Sequence, residues 1–302
     1  MQTAIIASKK DIAGMNIRAS LLDLFNFKET EDKFYDNSVF ELEENNEIKL
    51  YTTESVQIHA EDIDKKIQAD LFIFASRHSA ASGLKTLSCH PIGNFGKAEL
   101  GGKENKLCIA PANFLKEALI ELNKHGTEIK HEVTLEATHH GPYVEKPMMF
   151  VELGSNKDNW KNKEAANIIA KTIIKILKEN NDYERLSFHK STTSGKTNLE
   201  KIRGDKFSEH FDSVFVIGGS HYNHVANKVM LKSNYAVGHI CAKYNLENLN
   251  ETLIEEAMEK TMPKAKFVLL DWKGLGKEKQ RIIKILEENN IKYERSDKFF
   301  KE

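Results

Sequence analysis

The sequence LFIFASRH at residues 71–78 decides the fold class. Its first five residues form a short apolar run, which is typical of a β-strand that is buried on both faces of a sheet. Ser76, Arg77 and His78 follow this run without an intervening loop. We therefore expect a buried strand here, with polar and ionisable side chains placed where it ends.

Short apolar runs of this kind alternate with amphipathic helical patterns along the chain. We predict strands at residues 3–8, 71–75, 133–138, 148–153, 214–217, 236–242 and 267–270, a hairpin at 34–51, and helices at 11–27, 111–126, 158–180 and 276–290. This alternation favours an α/β fold, with a three-layer α/β/α arrangement around a mostly parallel mixed sheet. The glycine-rich residues 82–106 are predicted to form a long ordered loop.

Composition limits the remaining possibilities. The 302 residues are predicted to form a single domain spanning 1–302, with a polar excursion at about 181–212. No apolar run is long enough to span a membrane and no secretory signal begins the sequence, so we expect a cytoplasmic protein. Because 44 Lys and Arg residues nearly balance 45 Asp and Glu residues, binding of nucleic acid would need a local basic patch. The three cysteines have no metal-binding spacing and are predicted packing residues.

Polar signatures follow four of the predicted strands. They are SRH at 76–78, EATHHGP at 136–142, VELGS at 151–155 and GGSHYNH at 218–224. In open α/β sheets, the ligand site lies beyond the carboxyl ends of the strands. A single histidine after a strand is more often structural, but several that converge on one edge indicate a reaction centre.

The two carboxylates in these signatures differ in what they require. Glu152 lies in an otherwise apolar strand, so it needs a metal ion, a histidine or an arginine as a partner. Glu136 precedes His139 by three residues and is expected either to support a ligand or act as a general base, or simply to face solvent.

The paired histidines leave further alternatives open. His139 and His140 would point to opposite faces of a continuing strand, but a turn at Gly141-Pro142 would let both contribute. His221 and His224 would share one face if a helix begins after Ser220. The sequence lacks the HExxH and GxSxG motifs, which disfavours a zincin protease and a serine hydrolase with a nucleophile elbow.

Taken in order, these signatures resemble the archaeal and plant type of D-aminoacyl-tRNA deacylase, which is distinct from the bacterial D-tyrosyl-tRNA deacylases. The resemblance extends over nearly the whole chain and rests on SRHSAASGLKTLSCHPIGNFGKAELGG (76–102), LEATHHGP (135–142), FVELGS (150–155), FVIGGSHY (215–222), VGHICAKY (237–244) and LDWKGLG (270–276). It implies hydrolysis of the ester between a D-amino acid and the tRNA 3′ end. It also implies a zinc-dependent monomer with a phosphorylase/hydrolase-like sheet.

Carried over motif by motif, the resemblance assigns His78, Glu136 and His140 to catalysis. A zinc ion would lower the pKa of a water molecule, and Glu136 or His78 would accept its proton. The candidate zinc ligands are His139 or His140, together with Glu152 and His221.

Residues beside the motif turns are assigned to binding of the substrate, D-aminoacyl-tRNA. The backbone amides of Gly218 and Gly219 are expected to hold the oxyanion or the terminal ribose phosphate. Basic side chains would contact the phosphates of the CCA end. The residues assigned to substrate binding are Arg77, His90, Lys97, Gly218, Gly219 and Lys273.

Three other functions could use the same residues. The first is a zinc metallopeptidase or amidohydrolase acting on small substrates. The second is a nucleoside phosphorylase-like enzyme, which would require phosphate, and the third is a tRNA-binding module without catalytic activity. A tRNA substrate differs from a small peptide because its binding weakens strongly as salt increases.

Overall fold

The computed structural model describes residues 1–190 and 211–300. The strands are β1 (Thr3–Ser8), β2 (Phe27–Phe34), β3 (Asn37–Leu42), β4 (Asn45–Thr53), β5 (Leu71–Arg77), β6 (Thr86–His90), β7 (Gly93–Asn94), β8 (Lys106–Leu107), β9 (Ala110–Pro111), β10 (Glu132–Leu135), β11 (Met148–Gly154), β12 (Asp212–Ile217), β13 (Tyr235–Cys241), β14 (Thr261–Met262), β15 (Ala265–Leu270) and β16 (Tyr293–Arg295). The helices are α1 (Ile12–Leu24), α2 (Ile63–Lys66), α3 (Ala112–Gly126), α4 (Lys157–Trp160), α5 (Lys163–Lys190), α6 (His224–Lys232), α7 (Glu251–Glu259), α8 (Lys279–Glu288) and α9 (Ser296–Phe299).

A mixed sheet of eight strands forms the larger part of the molecule, in the order β10-β6-β11-β5-β1-β4-β3-β2. The apolar run that opens the sequence argument forms β5, which lies between β1 and β11 and is parallel to both. Strand β6 runs antiparallel to β11, whereas β10 is parallel to β6. Strands β6 and β10 therefore run in the opposite direction to β1, β5 and β11.

Four of the five strands after residue 210 form a second sheet, in the order β13-β12-β15-β16, and every pair in it is parallel, whereas β14 pairs with β9. The predicted α/β class with a mostly parallel mixed sheet is confirmed. The division into two sheets was not predicted, because an apolar pattern identifies a strand without identifying its neighbours.

One hydrophobic core joins the two sheets. A single cluster contains Ile73 and Val151 of the large sheet, Leu119 of α3, and Val216 and Leu269 of the second sheet. The side chains of a strand alternate between the two faces of its sheet, so the face of each sheet that points away from the shared core is covered by other elements. Helix α2 and loops cover the large sheet there, and α7 and α8 cover the second.

Most predicted helices are present, with boundaries that differ by several residues. Helix α5 continues beyond residue 180, so residues 181–190 of the predicted polar excursion are helical, and residues 191–210 lie outside the described part of the chain. Helices α6 and α7 were not predicted. Among residues 1–190 and 211–300, no helix is long and apolar enough to cross a membrane.

Strand β6 corrects the prediction of a long loop at residues 82–106. Its sequence, TLSCH, alternates polar and apolar residues over only five positions, and glycines flank it closely. The three cysteines are free and buried, as predicted.

His239 on β13 is a buried junction between three segments. Its Nδ1 lies 3.1 Å from the Thr138 hydroxyl, and its Nε2 lies 2.9 Å from the Cys108 carbonyl oxygen. Burial lowers the pKa of His239 to about 3. The ring is therefore neutral in the folded protein, with Nε2–H donating to Cys108.

This neutral histidine predicts a loss of stability in mild acid. Below its ordinary pKa of 6.5, a histidine takes up a proton in the unfolded chain, whereas folded His239 does not, so the free energy of unfolding falls as pH falls. Between pH 7 and pH 5, we expect this decrease to be about 2 kcal/mol larger in the unaltered protein than in His239→Gln. Urea unfolding at both pH values measures it, and equal decreases in both proteins would contradict the assignment.

Candidate active site

Ionisable side chains reach one face of the large sheet from two directions. His78 directly follows β5 and Glu136 directly follows β10, whose direction is opposite. Glu152 on β11 faces the same side as His90, because His90 pairs with a residue two positions before Glu152. The expectation that all strand ends meet at one edge is therefore wrong, since β6 and β10 oppose β5 and β11.

The loop after β12 brings the second sheet to the same place. Glu136 and Tyr222 form an isolated antiparallel bridge, and the amide of Ala137 donates to the His221 carbonyl oxygen at 2.8 Å. The rings of His139 and His221 are 4.6 Å apart between centroids. The structure thus gathers all the residues assigned to catalysis or metal binding, which are His78, Glu136, His139, His140, Glu152 and His221.

Glu136 is the centre of a chain of polar contacts. Its carboxylate is fully buried, with Oε1 3.1 Å from Nδ1 of His78 and Oε2 2.9 Å from Nε2 of His221. Beyond these rings, Nε2 of His78 lies 2.7 Å from the Tyr222 hydroxyl and Nδ1 of His221 lies 3.0 Å from the Tyr244 hydroxyl. The alternative that Glu136 faces solvent is wrong, and the chain runs Tyr222–His78–Glu136–His221–Tyr244.

Glu152, on strand β11, contacts this chain of polar residues through His78. Its Oε2 lies 3.4 Å from Nδ1 of His78 and 3.7 Å from Nε2 of His90. The predicted need of this buried carboxylate for a partner is therefore met by histidines. His90 is also buried, and its ring lies 4.3 Å from that of His139 and 4.9 Å from that of His140 between centroids.

Charge is divided unequally within the cluster. Burial would raise the pKa of Glu136, but a hydrogen bond from His221 and the ion-pair contact with His78 outweigh it and hold that pKa well below its usual value. For His78, burial alone would lower the pKa, but the contacts with Glu136 and Glu152 outweigh burial and raise this pKa to about 10. At neutral pH the site therefore contains a carboxylate at Glu136 and an imidazolium at His78.

His139 and His140 are in the opposite state. Burial, followed by the positive charge of neighbouring histidines, lowers the pKa of His140 to about 4 and that of His139 well below its ordinary value. Nδ1 of His139 is hydrogen-bonded to the Ala137 carbonyl oxygen, and Nδ1 of His140 is hydrogen-bonded to that of Gly141. Neutral rings held in this way present Nε2 as a free electron pair, which is the form that binds metals.

The donor atoms fit a zinc ion. Potential ligand atoms of His90, His139 and His140 lie within 4.8 Å of one another, as do those of His78, Glu136 and His221. The buried atoms Nε2 of His90 and Oε1 of Glu136 lack a hydrogen-bond partner with acceptable geometry. Imidazole nitrogens and carboxylate oxygens are common zinc ligands. The predicted ligands His139, His140, Glu152 and His221 all belong to groups able to hold a metal ion, but no single group contains them together, and His90 is the residue that joins His139 and His140.

A cleft of about 350 Å³ opens above the cluster. Asp11 borders it, and was not identified from the sequence. Its Oδ2 accepts hydrogen bonds from the Ser76 hydroxyl at 3.1 Å and the Arg77 amide at 2.8 Å, while Oδ1 accepts from the amide of Gly14. Asp11 is the N-cap of α1, a role that its position before a helical pattern could have indicated.

The residues assigned to substrate binding lie at different positions relative to the cleft. Arg77 borders the cleft, with its guanidinium 5.2 Å from the centroid of the Trp160 ring. His90 is fully buried beneath the cluster, so direct contact with tRNA is not consistent with its position. Lys97 and Lys273 are exposed, and neither borders the cleft.

The glycine pair after β12 has a packing role that the sequence analysis missed. The amide of Gly218 donates to the Cys241 carbonyl oxygen at 2.8 Å, so it is not available to hold an oxyanion. Gly218 and Gly219 have φ values of 103° and 85° and lie against the turn formed by Asp271 and Gly274. A side chain at either glycine would meet that turn, so the pair brings the two loops together.

His224 lies outside the cluster, because it is the exposed first residue of α6, after the N-cap Asn223. The predicted helix face shared with His221 does not form. Tyr222 and Tyr244 contact His78 and His221. Each ends a motif quoted above, FVIGGSHY (215–222) and VGHICAKY (237–244), but the sequence analysis assigned neither of them a role.

Comparison with known proteins identifies relatives of the chain. Residues 65–294 match the family model described as D-aminoacyl-tRNA deacylase. The D-aminoacyl-tRNA deacylase of Pyrococcus furiosus is 34% identical over 289 residues, which cover 93% of this chain and 95% of that protein. The D-aminoacyl-tRNA deacylase of Thermococcus onnurineus is 33% identical, with 94% and 96% covered.

A crystal structure described as a conserved protein of unknown function has a similar fold. Its TM-score is 0.79 at 27% sequence identity, and the match covers 98% of this chain and 96% of that one. The chain belongs to the D-aminoacyl-tRNA deacylase family.

Proposed function

We propose that the protein hydrolyses the ester bond between a D-amino acid and the 3′ end of tRNA, releasing both. The observation that carries this proposal is the buried Glu136 carboxylate, which is held between His78 and His221, two residues that line the cleft. Aminoacyl esters are activated acyl groups, so hydrolysis requires a positioned water and stabilisation of a tetrahedral oxyanion. Family membership supplies the substrate class.

Glu136 acts as the general base in this reaction. A hydrogen bond from His221 and the ion-pair contact with His78 keep the pKa of Glu136 low, so it is a carboxylate and can accept the proton of the attacking water. Contacts with two carboxylates raise the pKa of His78 to about 10, so His78 already holds a proton and does not compete for this role. Its positive charge instead stabilises the negative charge that develops on the ester oxygen.

Zinc is the cofactor in this proposal, with His90, His139 and His140 as its ligands. Bound there, zinc would supply Lewis acidity, the chemistry that activates water and polarises a carbonyl group. The chain contributes neutral rings that are fixed by backbone carbonyls, and Glu152 below them keeps His78 and His90 in place.

Substrate binding is divided between the cleft and its surroundings. Arg77 contacts a phosphate of the CCA end from the cleft border, where its guanidinium is oriented over Trp160. The enzyme acts as a monomer in the cytoplasm, where aminoacyl-tRNA is used. Proofreading of this kind requires that the cleft accept one configuration at the α-carbon and reject the other.

The test is a comparison of the two enantiomers on the same tRNA. We expect D-Tyr-tRNA to be hydrolysed about 100-fold or more faster than L-Tyr-tRNA, because misplacement of the ester relative to the catalytic groups has a large effect on rate. Release of radiolabelled tyrosine under single-turnover conditions measures both rates, with spontaneous hydrolysis subtracted. Equal rates for the two enantiomers would exclude the proofreading role, and hydrolysis of small peptides instead would favour an amidohydrolase.

A further inference from the structure

Tyr244 places an exposed aromatic ring beside the active-site cleft. Its hydroxyl is 3.0 Å from Nδ1 of His221, whose own ring borders the cleft. The two ring centroids are 6.3 Å apart and the planes differ by 32°. Nevertheless, Tyr244 remains 49% exposed, so part of its surface is available to a ligand.

The segment that carries Tyr244 is held firmly in place. Tyr244 belongs to the 3-10 helix Lys243–Asn248, which directly follows β13 and Ala242. The amide of Lys243 donates to the Gly219 carbonyl oxygen at 2.9 Å, which ties this segment to the loop that carries His221. A ring that is anchored at its hydroxyl and at its backbone loses little conformational entropy when a flat ligand covers it.

A hydrogen bond to His221 does not by itself explain this arrangement. A hydroxyl group on any side chain could fix the orientation of His221, and an aromatic ring left in water has no stabilising contact on its open face. Leu100, an apolar residue that lines the cleft, is 58% exposed. Exposed apolar surface beside a polar cleft is typical of a site for a partly apolar ligand.

We propose that the terminal adenine of the tRNA stacks on Tyr244, an inference that rests on the proposed function. In a 3′-aminoacyl adenosine, the ester and the base are attached to the same ribose ring, so the base must lie close to the reacting bond. The Tyr244 hydroxyl is separated from the Glu136 carboxylate only by the His221 ring. Stacking on an aromatic side chain is the usual way in which proteins bind an unpaired base.

Charge around Tyr244 agrees with this ligand. Lys243, the preceding residue, is exposed and adds a positive charge to the segment that carries Tyr244. The nucleoside at the 3′ end is linked to the rest of the tRNA through a phosphate, which a lysine near the base could contact. Tyr244 is thus a binding residue for the nucleoside, and its hydroxyl is a positioning group for His221.

Two substitutions separate the ring from the hydroxyl. Tyr244→Phe retains the stacking surface and removes the bond to His221, whereas Tyr244→Ala removes both. Relative to Tyr244→Phe, we expect Tyr244→Ala to raise KM for D-Tyr-tRNA by roughly 5- to 150-fold with little further change in kcat. The same factor should appear in the Ki of adenosine 5′-monophosphate as a competitive inhibitor.

Tyr35 provides a matched control, because it is 47% exposed and lies in the turn between β2 and β3 of the large sheet. Tyr35→Ala should leave KM and Ki unchanged. If Tyr244→Ala and Tyr244→Phe have the same KM and Ki, the ring does not bind adenine and Tyr244 only positions His221. If the unaltered protein does not hydrolyse D-Tyr-tRNA, the proposed function itself fails, which is a distinct result.

Discussion

Replacing Glu136 with glutamine is expected to lower kcat for D-Tyr-tRNA by about 100- to 10,000-fold, with a much smaller effect on KM. The glutamine side chain has nearly the same shape, but it is neutral and cannot accept a proton from water. It also removes the negative charge whose contact with His78, together with that of Glu152, raises the pKa of His78 to about 10. Single-turnover deacylation at saturating enzyme measures the chemical step directly.

Glu132→Gln is the matched control, since Glu132 begins the same strand, β10, and is exposed. This variant should retain full activity. Circular dichroism and thermal unfolding of both variants will show whether the fold is retained, because loss of one partner from a buried ionic cluster destabilises proteins. A folded Glu136→Gln protein with unaltered kcat would remove Glu136 from the chemistry and would move the role of base to another residue.

Removal of zinc is expected to produce the second large effect. After dialysis against a chelator, kcat should decrease by about 100-fold or more and should return on addition of Zn²⁺, because water loses its activating Lewis acid. His140→Ala should reduce both bound zinc and activity, since His140 offers a neutral ring beside His90 and His139. Elemental analysis of the purified proteins measures the zinc content independently of activity.

His125→Ala on α3 is the control for this experiment, because His125 contacts Glu121 on the same helix and lies outside the cluster. Its zinc content and activity should match those of the unaltered protein. Purified protein that contains no zinc and is indifferent to chelators would show that the histidines serve only to orient Glu136 and the substrate.

The fold was predictable where local pattern determines structure. The apolar run of β5 and the long amphipathic pattern of α5 are visible in the sequence, and both elements are present. Strand β6 was missed because five residues, three of them polar, give little periodicity. The second sheet was missed for a different reason, since the choice of neighbouring strand depends on packing through α3, which contacts both sheets.

The site was predictable to the extent that motifs follow strands. Glu152 was recognised because a carboxylate in an apolar strand requires a partner, and its contacts with His78 and His90 satisfy that requirement. The protonation states were not predictable, since they depend on distances between segments far apart in sequence. His90 was assigned to substrate binding, whereas the structure buries it beside His139 and His140. The reason is that β6, the strand to which His90 belongs, was not recognised in the sequence.

The backbone contacts between the loop after β12 and the residues after β10 have a consequence for how the enzyme becomes active. Ala137 and His221 are joined through their main chains, so the base at Glu136 gains its second imidazole only after the distant C-terminal portion has docked. A molecule in which the second sheet has not docked would lack the contact between His221 and Glu136. The complete chain of polar contacts therefore requires both sheets to be in place.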